Sequence, residues 1–79
     1  MPIAGVIIAV NPDHTNETLK ELKNFKKVTT YGVHQKNMIV AVFEAESSEE
    51  LHQLSRELTR KIPSILGIYP AYVNYEDQI

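Results

Sequence analysis

Two segments of this chain, Ile3-Ala4-Gly5-Val6-Ile7-Ile8-Ala9-Val10 and Met38-Ile39-Val40-Ala41-Val42-Phe43, are apolar at consecutive rather than alternate positions. Successive side chains of a strand point to opposite faces, so a strand packed on one side only alternates apolar with polar. Strands this apolar suit the middle of a sheet. A fold that places these two runs centrally gives each of them two neighbours.

The remaining segments supply those neighbours. Asn11-Pro12-Asp13 stops the first run. Thr15 or Asn16 is then expected to cap a helix with Glu17 in its first turn, where a carboxylate suits the helix dipole. Leu19, Leu22 and Phe25 fall three apart and make one apolar stripe, while Lys20, Glu21, Lys23 and Asn24 face water. Val28 to Val33 reads as a second, more polar strand, and His34-Gln35-Lys36-Asn37 as a turn into the third strand, Met38 to Glu44. The short link makes these two a hairpin.

Ser47-Ser48-Glu49-Glu50 has the form of a capping box, in which Ser47 caps the first free amides and Glu50 reaches back to the Ser47 amide. The helix that follows carries Leu51, Leu54, Leu58 and Ile62 on one side, and Pro63 ends it. Ile65 to Tyr75 gives a last strand interrupted by Pro70. Proline lacks the ladder donor, so that strand belongs at an edge. The order β-α-β-β-α-β predicts an α+β fold, the ferredoxin-like sandwich: one domain over residues 1–79, with two helices on one face of a four-stranded antiparallel sheet. The first and third strands are then central and the second and fourth are edges.

Composition narrows the function classes. With 79 residues the core has little room for a deep internal pocket. The absence of cysteine excludes disulfides and thiolate metal sites. A formal charge of −2 argues against a nucleic-acid partner, which a basic face would attract. The apolar N-terminal run lacks a basic stretch before it and a cleavage site after it, and it is too short to cross a bilayer. A soluble cytoplasmic protein without membrane insertion is expected.

What remains is the sheet face without helices. Ala4, Val6, Ile8 and Val10 can face the helices, which leaves Gly5, Ile7 and Ala9 on the other side. In the third strand the parity that puts Phe43 inside turns Ile39 and Ala41 inward and leaves Met38, Val40, Val42 and Glu44 outside. The open face is therefore a contiguous apolar surface, and such surfaces mark binding sites. A homodimer through this face is the plainer reading. The sharper one is a groove for a segment of another protein, with Gly5 and Ala9 permitting close approach. Tyr31, Tyr69 and Tyr75 would form its rim, and Glu44 would meet a basic residue of the guest. The expected peptide-binding residues are Gly5, Ile7, Ala9, Tyr31, Met38, Val40, Val42 and Glu44.

The residues do not point to catalysis, a cofactor or a metal. His14, His34 and His52 fall in a loop, a turn and a helix start without metal-ligand spacing, and read as surface histidines. Asp13 beside His14 has no nucleophile or glycine-rich loop to serve, and reads as a turn residue. The first loop has neither the arginine an acylphosphatase needs nor the cysteine pair of a metal chaperone. The third strand lacks the basic and aromatic residues of an RNA-recognition module. Glu44, Glu46, Glu49 and Glu50 read as a solvated helix start, with a basic peptide as the functional alternative.

Gly5-Val6-Ile7-Ile8-Ala9-Val10, the stretch from Met38 through Glu44 to Ser47-Ser48-Glu49-Glu50-Leu51, Ile65-Leu66-Gly67-Ile68 and Tyr72-Val73-Asn74-Tyr75-Glu76 together resemble the NapD family. These are small cytoplasmic chaperones for the periplasmic nitrate reductase. The chain departs from the family pattern in Phe25-Lys26-Lys27-Val28, where a Pro-Gly turn is frequent, at Ser64, where glycine commonly opens the last strand, and in the ending Tyr72-Val73-Asn74-Tyr75, where Tyr-His is usual. The resemblance implies a ferredoxin-like fold and a non-enzymatic task. The family binds the twin-arginine (Tat) signal peptide of the nitrate reductase catalytic subunit on its sheet surface and delays export until the molybdenum cofactor is inserted. The alternative is a dimeric small-molecule effector domain resembling the regulatory domain of Lrp/AsnC transcription factors. It shares the topology, but its glycine-bearing ligand loop has no counterpart in His34-Gln35-Lys36-Asn37.

Overall fold

The structure, a computed structural model, describes residues 3–71. The first strand, β1, spans Ile3–Val10 and is followed by a 3-10 turn over Pro12–His14 and helix α1 over Thr15–Leu22. Strands β2 (Val28–His34) and β3 (Met38–Glu44) form the expected hairpin. Helix α2 spans Ser48–Lys61 and strand β4 spans Ile65–Pro70. The sheet order is β2-β3-β1-β4 with antiparallel pairing throughout, so the two doubly apolar strands are the central pair and Pro70 stands in an edge strand. This is the ferredoxin-like α+β arrangement. The part of the expected last strand over 72–75, including Tyr75, lies outside the described residues.

The parity of both central strands is as expected. Val6, Ile8 and Val10 of β1 and Ile39, Ala41 and Phe43 of β3 are buried against Leu22 of α1 and Leu54 and Leu58 of α2, with Ile62 and Ile65 closing one end. Burying a side chain of this size contributes about 1.5–3 kcal/mol. Helix α2 follows its sequence signals. The Ser47 hydroxyl accepts from the Glu50 amide (3.2 Å), Glu49 and Glu50 occupy the first turn, and Arg60 and Lys61 the last. Ile62 is extended, so the helix stops just before Pro63.

Three local expectations need correction. The Glu50 carboxylate does not return to the Ser47 amide; it accepts from the Glu46 amide one residue earlier, at 3.1 Å, and from Lys27 Nζ at 3.2 Å. Neither Thr15 nor Asn16 caps α1. Asn11 opens the helical stretch instead, its side-chain oxygen accepting from the Asp13 amide (3.0 Å) with Pro12 at the first helical position. Residues that stop a strand also start a turn of helix, so the stop and the start coincide. Phe25 lies beyond the end of α1, half-buried against the core, and the buried line of α1 is Thr15, Thr18 and Leu22.

Those two threonines are buried because their hydroxyls are satisfied. Thr15 Oγ1 donates to the Lys36 carbonyl at 2.8 Å, tying α1 to the hairpin turn. Thr18 Oγ1 donates to the His14 carbonyl at 2.8 Å and pairs with the Ser64 hydroxyl ahead of β4. Ser64, one of the departures from the family pattern, thus partners a buried threonine. The Asn11 amide donates to the Ser64 carbonyl and the Val10 amide to the Asn37 carbonyl, both at 2.9 Å. The ends of β1, β4 and the hairpin are thereby pinned together.

Candidate functional site

The sheet register builds the open face row by row. Opposite Met38 of β3 stand His34 of β2 and Ala9 of β1, and Ala9 faces Gly67 of β4. The next row is Gly32, Val40, Ile7 and Tyr69. The third is Thr29, Val42 and Gly5, with the Gly5 carbonyl accepting from the Ala71 amide at 2.8 Å. Glu44 closes β3, opposite Ile3. Seven of the eight expected residues therefore share one face on two adjacent strands, and Tyr31 borders it on β2.

Both edge strands reach this face through a β-bulge. In β2 the register shifts between Thr30 and Gly32, so Tyr31 and Gly32 together oppose Val40. In β4 it shifts opposite Ala9 and Val10, so Leu66 is the extra residue between Ile65 and Gly67. A bulge places two consecutive residues against one of the partner strand and bends the edge. Here each bulge adds a large residue to an edge strand and follows it with glycine. Tyr31 and Leu66 are the most exposed large apolar residues described, at 69% and 67%. Gly32 has φ +149°, which a residue with a Cβ rarely adopts.

Tyr69 supplies a further part of the rim. A Cβ built on Gly67 would lie 2.6 Å from the Tyr69 hydroxyl and 2.8 Å from the adjoining ring carbon, so the ring folds back along β4 over Gly67. Between these edges Val40 is exposed, while Ile7, Ala9, Met38 and Val42 are half-buried. The floor is about 14 Å wide between the outer strands and about 13 Å long from Met38 to Val42. Leu66 was not foreseen from the sequence. Its only signal is the large-residue–glycine pair shared by Tyr31-Gly32 and Leu66-Gly67.

Charge sits at the margins. Glu44 is exposed, and no cation pairs with it among the described residues. Lys27, whose carbonyl accepts from the Glu44 amide, sends its ammonium to Glu50 instead. The bond from the Glu46 amide, helped by Lys27, holds the Glu50 carboxyl below its ordinary range. His14 is an exposed histidine bonded to Glu17 at 2.9 Å, which raises its pKa. His34 and His52 are exposed as well. Among the described residues no three carboxylate or imidazole groups are placed to hold a metal ion. A groove of about 450 Å³ lies on the helix side between Phe25 and Leu54 and is lined by the opposed charges of Lys26, Lys27, Glu50 and Glu57. No helix of the described residues is long and apolar enough to cross a membrane.

Comparison with solved structures returns the same fold. The solution structure of the E. coli Tat proofreading chaperone protein NapD superimposes with a TM-score of 0.77 at 19% identity, over 99% of this chain and 82% of the other. The crystal structure of a hypothetical protein from Pyrococcus horikoshii gives 0.70 at 18% identity, over 99% of both chains. No curated protein matches the chain. The family model described as NapD protein matches residues 1–77. By that match, which takes in both central strands and both bulged edges, this chain belongs to the NapD family.

Proposed function

We propose that this protein is a non-enzymatic chaperone of nitrate reductase maturation, working in the cytoplasm. It binds the Tat signal peptide of the catalytic-subunit precursor on its open sheet face and delays export until the molybdenum cofactor is in place. The observation that carries this reading is the contiguous apolar face over Ile7, Val40 and Val42, bordered by Tyr31 and Tyr69 on the two edge strands and left uncovered by both helices. A twin-arginine leader has a basic start and an apolar middle. The face answers the second with its floor and the first with Glu44. Size also favours a single segment as occupant. A floor of roughly 200 Å² falls well short of the about 800 Å² that each partner buries in a standard protein–protein interface.

Calorimetric titration with a synthetic leader from a nitrate reductase precursor tests the reading, against a scrambled leader of equal charge and hydrophobicity. Saturable binding of the true leader alone is expected. Val40→Asp and Ile7→Asp place a charge on the floor without touching the core, so both variants should stay folded and weaken binding by at least tenfold. Equal binding of both leaders, or a dimer that persists on dilution with no response to the leader, would overturn it.

A further inference from the structure

The peptide-binding reading leaves open which way the guest lies, and the charges bordering the face bear on that. Glu44 is the one carboxylate among the described open-face positions, and it stands at the far end of β3. The cation nearest it along the backbone, Lys27, is drawn to the helix side by Glu50 at 3.2 Å, so Glu44 is left to face outward. At the opposite end of the same strand His34 stands opposite Met38, and the exposed Lys36 occupies the turn. The two ends are about 20 Å apart along β3. The face is therefore apolar in its middle, acidic at one end and weakly basic at the other.

We infer that the guest lies along β3 in one direction, its basic start at Glu44 and its apolar part running over Val42 and Val40 toward Met38. This rests on the peptide-binding reading of the same face. The reverse direction would put a cationic segment beside Lys36 and His34 and leave Glu44 against apolar side chains, losing one attraction and adding one repulsion. Both edges favour an approach along the face rather than an added strand. Each outer strand is bulged, at Tyr31-Gly32 and at Leu66-Gly67, which breaks the regular row of donors and acceptors a new strand would need.

Paramagnetic relaxation enhancement on the intact protein measures the direction. A nitroxide is placed at the N-terminus of the synthetic twin-arginine leader in one sample and at its C-terminus in another. The N-terminal label should broaden the amides of Glu44 and Val42 most, and the C-terminal label those of Met38 and Ala9. The opposite pattern, with saturable binding retained, would overturn the direction and leave the chaperone reading standing. Absence of saturable binding, or broadening confined to the helix side, would overturn the reading itself. As a second readout, Glu44→Arg should weaken binding about three- to tenfold at low salt and less at high salt, since the exposed pair is screened. An unchanged affinity would overturn the inference.

Discussion

At the scale of single residues, Glu50 shows how a local motif is redirected by what lies near it in space. Its carboxylate meets the Glu46 amide and the Lys27 ammonium, which come from the loop before α2 and the loop before β2. The first bond, with help from the second, lowers its pKa. A carboxyl whose pKa is lower folded than unfolded stabilises the fold above its unfolded value. That contribution disappears as pH falls through the folded value. Thermal midpoints measured from neutral to strongly acidic pH should therefore fall more steeply for the parent than for Glu50→Gln. Parallel curves would show that this carboxylate does not couple to folding. The capping box was legible because its spacing is local. The choice of amide was not, because Lys27 is 23 residues away.

Among the elements, the hairpin turn carries the clearest backbone strain. Gln35 and Lys36 adopt φ of +54° and +72°, in the left-handed region that costs a residue with a Cβ about 1–2 kcal/mol. The turn is held there from outside, by Thr15 Oγ1 on the Lys36 carbonyl and by the pairing of Asn37 with Val10. Asn-Gly is the preferred pair where both central residues need positive φ. Replacing Gln35-Lys36 by Asn-Gly should raise stability by about 1–2 kcal/mol, read as a higher urea midpoint at unchanged slope. A lower midpoint would mean that the native side chains contribute more than their strain costs. That His34-Gln35-Lys36-Asn37 turns was readable from the sequence, but its conformation was not. Nothing in Gln35 or Lys36 favours positive φ, and the contacts that impose it come from β1 and α1.

For the molecule as a whole, Thr18 and Ser64 join the two halves of the sandwich, one on α1 and the other just ahead of β4. An eight-residue helix is marginal alone and depends on such anchorage. Thr18→Val keeps the volume but leaves the Ser64 hydroxyl without its partner, and should cost about 1–3 kcal/mol in chemical denaturation. Adding Ser64→Ala should recover part of that loss, because the hydroxyl left unpaired is removed. A double variant that is the sum of its singles would show that the two hydroxyls act independently. The sequence by itself determined the element order, the central place of β1 and β3, the edge position of β4 and the faces of Ile7, Val40 and Glu44. Those features follow from short-range periodicity, a capping pattern and one proline, all of which act through neighbours in the chain. Only the tertiary structure decided that Thr18 is core, that Leu66 and Tyr31 rise on bulges, and that Tyr69 folds over Gly67. Each of these depends on which strand or helix lies alongside, a relation between residues far apart in sequence that local pattern does not encode.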